Sequence, residues 1–443
     1  MHPWGATVTV KRRKYPMAQQ PVFLGQGISY TELYDPKFKT CSLYFRFYVK
    51  RDAATCAENA LMIDLLTNCS ADYPTLASLT LQKQSLYGAS LHSSRGCVGD
   101  VQELTVSAHW IDDRFALDGA SVTDAMLKLM LGCLLRPNAE NNAFDAAAFR
   151  FCKQNLLDTI DCEINQKRSY AMHRAAEAAF AGEPAACPPY GTRESAEAVT
   201  AESAYAAWQR MLHTAPLEIV AVLPEEKPNL LPALREALHT LPREPQPVVF
   251  ESLSPVKPEV KQVEEPMPVT QCKLVMVMKT QDADHDAMRM VNLLLGGTTG
   301  SLLFVNVREK RSLCYYCASR YLRSKHALTV DCGVRTENLE ETKAAITEQI
   351  ETLCSGGFTD EQMNECAMYY EHSLASASDS QSGLAAWVFT QKQTDAPRTM
   401  EESAADLRAV TREQVIAAAK KLQLDTVYTL LATKSDADDG EEG

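Results

Sequence analysis

Four landmarks occur twice in this chain, in the same order. Cys41 to Val49 alternates, with Leu43, Phe45, Phe47 and Val49 on one face and Tyr44, Arg46, Tyr48 and Lys50 on the other. That period of two predicts a half-buried strand. Cys272-Lys-Leu-Val-Met-Val-Met278 is a second strand of the same kind. Lys83-Gln-Ser-Leu-Tyr87 returns as Lys310-Arg-Ser-Leu-Cys314, and Phe144 to Cys152 returns as Phe358 to Cys366. Val199-Thr-Ala-Glu202 is answered by Val410-Thr-Arg-Glu413, each leading through an Ala-rich helix into a strand. Such a chain is constrained to build one β-α-α-β-β-α-α-α-β unit twice, at roughly 200 residues per copy, a normal domain size. The fold class expected is α+β.

The boundaries follow from composition. Residues 1–225 form the first unit, 226–267 a connector, 268–435 the second unit, and 436–443 an acidic tail that is too polar to pack. Residues 1–40 have little periodicity and are expected to be an irregular lead-in. The connector is rich in proline and charge (P-E-E-K-P, L-P-R-E-P-Q-P), with a short helical pattern at Leu230 to Leu241. Thr359-x-x-Gln362 and Thr411-x-x-Gln414 are capping boxes, which predict helix starts at those points.

The stretch with most chemical content is Asn292 to Tyr316, N-L-L-L-G-G-T-T-G-S-L-L-F-V-N-V-R-E-K-R-S-L-C-Y-Y. A helix is expected to end at Gly296-Gly297, and Ser301 to cap a second one. That second helix would carry Leu302, Leu303, Val305 and Val307 inward and Arg308 to Arg311 outward. If it ran on, Arg308 and Tyr315 would lie on one side about 10 Å apart. A guanidinium and a phenol aimed at one space can grip a carbonyl oxygen. The loop is not a phosphate loop, because Gly300 rather than Lys precedes Ser301 and a helix rather than a strand comes before it.

With Leu295-Gly296-Gly297, Ser301-Leu303-Phe304 and Arg308-Glu309-Lys310-Leu313-Tyr315, this stretch resembles the C-terminal half of the insulinase/pitrilysin-like metallopeptidases. The resemblance implies two duplicated units, each a mostly antiparallel sheet with helices on one face. It also implies that Arg308 and Tyr315 act on the substrate carbonyl and do not bind zinc. The family's zinc motif, H-x-x-E-H, puts two histidines on one helical face with a glutamate to activate the bound water. None of the nine histidines begins that motif. The equivalent helix reads Asn59 to Leu65, with Leu61 and Leu65 where the histidines belong and Asp64 where the glutamate belongs. No metal or other cofactor is therefore expected in this chain.

The resemblance then implies the second chain of a two-chain bacterial peptidase. Such a chain is inactive alone and supplies Arg308 and Tyr315 in trans to a zinc-bearing paralogue, with an unfolded polypeptide as substrate. The alternative is a purely structural or binding protein of the same fold. An independent hydrolase would need a nucleophile signature such as G-x-S-x-G, which is absent.

A net charge of −13 argues against nucleic acid and anionic membranes as partners. The basic cluster Lys11 to Lys14 has no apolar run behind it, so a cytoplasmic location is expected. Fourteen cysteines spread through apolar runs are expected to be reduced core residues, Cys314-Tyr-Tyr-Cys317 included.

Overall fold

The computed structural model of the chain describes residues 20–281 and 284–433. The expected acidic tail and most of the basic N-terminus lie outside them.

Six strands form the first sheet: β1 (Val22–Gly25), β2 (Ile28–Tyr34), β3 (Thr40–Lys50), β4 (Ser90–Val98), β5 (Val101–Ile111) and β8 (Leu217–Leu223), in the order β1-β2-β8-β3-β5-β4. The intervening β6 (Ala139–Glu140) and β7 (Ala143–Phe144) make a small separate hairpin. Five strands form the other sheet: β9 (Lys261–Met267), β10 (Cys272–Lys279), β11 (Cys314–Leu322), β12 (Ala327–Val334) and β13 (Gln423–Ala432), in the order β11-β12-β10-β13-β9. Read from β2 and from β9, the two orders are the same. Each contains one parallel pair, β2 with β8 and β9 with β13, and is otherwise antiparallel.

Two differences from the sequence reading stand out. Residues 22–34 are not an irregular lead-in; they supply β1 and β2. The stretch read as connector ends in β9. Both β2 and β9 gain their place by pairing in parallel with the last strand of their own sheet, a contact that local periodicity does not encode. The capping boxes at Thr359 and Thr411 start their helices as expected, each threonine accepting from the backbone N–H three residues on.

Each sheet packs one face on its own helices. The first core gathers Phe45, Phe47, Leu61, Ile63, Met126 and Ile219; the second gathers Leu274, Met276, Val291, Leu295, Leu303 and Ile346. The opposite faces are covered by exchange. The helix Gln381–Lys392, from the C-terminal half, lays Leu384, Val388 and Phe389 on Leu33, Tyr44, Val220 and Val222 of the first sheet. The helix Lys167–Ala179, from the N-terminal half, lays Ala171, Ala175 and Ala179 on Val275, Val277 and Tyr428 of the second. Strand β3 is thus buried on both faces, not half-buried: Tyr44 and Tyr48 are inside, and the Arg46 guanidinium lies 3.9 Å over the Phe389 ring. Each large apolar side chain so covered contributes about 1.5–3 kcal/mol.

Ion pairs with at least one buried member fasten the exchange. Arg168 donates to Asp331 at 2.5 and 3.1 Å and stacks 4.5 Å over Tyr316. Lys279 reaches Asp425 at 3.3 Å and the Ala179 carbonyl at 2.7 Å, while Lys325 meets Glu183 at 2.7 Å and Asp100 at 3.1 Å.

Candidate functional site

The helix Cys56–Leu66 is apolar almost all round and buried accordingly. Leu61 and Leu65 sit in the first core, at 0% and 1% exposure. Asp64 faces β4, where its carboxylate accepts from Ser93 Oγ at 2.7 Å and Arg95 Nη1 at 2.6 Å. A protein guanidinium therefore already balances the one charge on this face.

The corresponding stretch of the other half is wound differently. The helix His285–Asn292 continues as π-helix over Leu293–Gly297, and a second π-helical segment covers Leu303–Lys310. Ser319 Oγ donates to both the carbonyl and the side-chain oxygen of Asn292, at 3.0 and 2.8 Å. Gly296 is fixed by close approach: a Cβ there would lie 2.6 Å from the Ser319 backbone nitrogen. Ser301 is not the cap expected, since its buried hydroxyl has no hydrogen-bond partner among the described residues. Leu302, Leu303 and Val307 are buried as expected, and Val305 is half-buried.

The helix does not run to Tyr315. It ends at Lys310, Ser312 takes a φ of 50°, and β11 begins at Cys314. Two helical turns therefore do not relate Arg308 to Tyr315. Cys314 pairs with Val334 and Tyr316 with Gly333, so Tyr315 is the extra residue of a β-bulge on an edge strand. Its ring is 55% exposed, and its hydroxyl accepts from Arg335 Nε at 3.2 Å. Arg308 is half-exposed, stacks 4.6 Å over Phe304 and lies 3.6 Å from Glu309. Bulges and π-turns both recur beside functional sites because they re-aim side chains.

Between the Lys167–Ala179 helix and the second sheet lies a cavity of about 710 Å³. Arg51, Arg168, His173, Arg320, Lys325 and Asp331 supply its polar wall, and Gly296 and Gly297 part of its floor. Neither Arg308 nor Tyr315 lines it. At its rim, His173 and Tyr190 contact the Glu163 carboxylate. Burial raises the pKa of that carboxyl, but these two contacts outweigh it and hold it below the usual range.

Residues 198–369 match a family model described as "Peptidase M16 inactive domain". A "Probable inactive metalloprotease YmfF" of Bacillus subtilis (strain 168) is 26% identical over 402 residues, 90% of this chain and 94% of that protein. Residues 198–369 thus resemble an inactive M16 peptidase domain, and most of the chain is similar to a probable inactive metalloprotease. Among solved structures, a conserved protein from Enterococcus faecalis V583 has a TM-score of 0.87 at 24% identity, covering 96% of this chain and all of the other. The peptidase M16 inactive domain from Pseudomonas fluorescens has a TM-score of 0.76 at 19% identity, covering 94% and 98% of the two chains. These two likenesses bear on the fold.

The zinc of the metallopeptidases that the sequence resembles would fall on the Cys56–Leu66 helix. Two leucines offer no donor atom, and Asp64 is committed to Arg95 and Ser93. The residues do not fit the metal. Cys314 and Cys317 are buried and free, and their mutual hydrogen bond and burial push the Cys314 thiol well up, away from reactive thiolate. Among the described residues, no helix is long and apolar enough to cross a membrane.

Proposed function

We propose that this chain is the zinc-less subunit of a two-chain M16 peptidase. Arg308 and Tyr315 would hold the carbonyl oxygen of a peptide attacked by the water of a zinc-bearing partner, and an unfolded polypeptide is the substrate class. The observation that carries the reading is a division within one chain. The Cys56–Leu66 helix has donors replaced by leucine and its acid neutralised by Arg95, while Arg308 and Tyr315 persist on irregular, partly exposed backbone. Side chains left at the surface can reach a substrate held by a second chain; side chains buried in the core could not. A cytoplasmic location is proposed with it.

The test is peptide cleavage by this chain mixed with an H-x-x-E-H protein from the same source. Arg308→Ala and Tyr315→Phe are each expected to lower turnover of the pair by ~10²-fold or more, as for lost oxyanion donors. Unchanged turnover with both variants removes the assigned roles.

A second reading has one observation in its favour. Arg308 and Tyr315 stand outside the cavity of about 710 Å³ that residues of both halves line, as would suit a purely structural or binding subunit. A stable pair whose activity ignores both substitutions would select it.

A further inference from the structure

Away from the Arg308–Tyr315 stretch, three donor side chains from three separate segments converge. Glu251 lies in the extended run between the helix Leu230–Leu238 and β9. His285 is the first residue of its helix, and His326 closes the turn from β11 to β12. They are far apart in sequence, 34 and 75 residues from Glu251, which is why no spacing motif announces them. Their donor atoms all lie within 4.8 Å of one another. His285 Nε2 and His326 Nε2 face the same oxygen, Glu251 Oε1, at 2.8 and 2.7 Å. The two rings stand 5.1 Å apart at 62°, so their nitrogens point inward at one spot.

The surroundings hold these groups in place. Tyr321 hydroxyl meets His285 Nδ1 at 2.8 Å, which orients the ring and leaves Nε2 for the shared spot. Arg323 Nε donates to the other carboxylate oxygen, Glu251 Oε2, at 3.2 Å, so only Oε1 is turned to the histidines. Outer contacts of this kind are what fix ligand rings and carboxylates at metal centres. His326 has a left-handed backbone, φ 47°, held by its N–H to Arg323 O and by Thr280 N–H to its own carbonyl. A non-glycine residue in that conformation is uncommon and recurs at functional positions. Its buried Nδ1 has no hydrogen-bond partner among the described residues.

We propose that Glu251, His285 and His326 form a binding site for a divalent transition-metal ion of the zinc class. Two imidazoles and one carboxylate are a donor set such ions take, at about 2.0–2.2 Å per bond. A tetrahedral ion at those lengths spaces its ligands about 3.3 Å apart. Each histidine–glutamate separation would therefore open by only about half an ångström. The three residues line a cavity of about 800 Å³ together with Gln393, Thr394 and Asp395, from which water can complete the shell. On binding, the ion displaces the N–H···O contacts to Glu251, and each imidazole presents Nε2 as a bare donor.

The site is structural in kind. It ties the extended run that joins the two sheets to the turn of β11–β12 and to the start of the helix that leads into the π-helical stretch. It is independent of the trans-peptidase reading.

Titration of the full-length chain, stripped with EDTA, with zinc chloride tests it, read by calorimetry and bound-metal analysis. About one zinc per chain is expected, with affinity reduced by more than ~10²-fold in Glu251→Gln or His285→Gln and by ~10-fold in Tyr321→Phe, which alters only the outer contact. Cobalt(II) binding to the wild-type chain supplies a readout free of any folding defect in the variants. Ligand-field bands without a thiolate charge-transfer band are expected. No saturable zinc binding, unchanged affinity in folded Glu251→Gln and His285→Gln, or a thiolate band from one of the free cysteines would each overturn the proposal.

Discussion

The helix Cys56–Leu66 and the stretch Leu293–Tyr315 lie beside their two sheets, and they have been treated in opposite ways. The first is regular α-helix, buried nearly all round, with Asp64 matched by Arg95. The second has two π-helical segments, a left-handed Ser312 and a bulged Tyr315. Where the family's metal chemistry resides in active members, this chain has optimised packing. Around Arg308 and Tyr315 the backbone is irregular, and π-turns and left-handed residues cost free energy that must be offset elsewhere. The contrast separates a face given over to stability from one whose geometry serves another purpose.

Substitutions can break this contrast from either side. The largest effect is expected for Leu61→Ala, which leaves a void in the first core and should cost about 2–5 kcal/mol in denaturant unfolding. A loss under about 1 kcal/mol would mean that the helix is not the packing element described. Gly296→Ala comes next, at about 1–3 kcal/mol, because its Cβ meets the Ser319 backbone rather than a yielding side chain. Arg308→Ala should move stability by no more than about 0.5 kcal/mol, as for ordinary surface sites, while changing activity of the pair strongly. A large stability loss there would reclassify Arg308 as a structural residue.

The smallest effect concerns acid. Burial raises the Asp112 carboxyl, but hydrogen bonds from Lys227 and Arg114 outweigh it and hold its pKa down to about 2. A carboxyl depressed in the folded state stabilises fully above its unfolded pKa of about 3.9 and loses that contribution as pH falls through about 2. Asp112→Asn should therefore flatten the stability profile between about pH 4 and pH 2. An unchanged acid limb would show that the pair with Lys227 contributes nothing measurable.

The stretch from Asn292 to Tyr316 was legible as a motif but not as a shape. Offsets of residue type carried the resemblance, whereas the helix end at Lys310 and the bulge at Tyr315 depend on how Cys314 and Tyr316 pair with β12. Ser301 looked like a cap because capping propensity is local; its hydroxyl has no hydrogen-bond partner among the described residues. The Glu251–His285–His326 cluster gave no signal at all, because its members meet only after three segments have docked.

By itself the sequence determined what short-range forces decide. The alternation of β3 and β10 made strands, Thr359 and Thr411 made helix starts, and the lack of two histidines on the Cys56–Leu66 face removed the metal donors. Tertiary structure decided everything that rests on pairing across long distances. It drew β2 and β9 into the sheets through parallel partners. It also buried the second faces of β3 and β10 under helices from the opposite halves. Tyr44, Arg46 and Tyr48 look like a solvent face from their alternation alone. Tyr44 and Arg46 are covered by Phe389 from a helix more than 300 residues away and Tyr48 by Phe250, and no local pattern records which surface a distant segment will cover.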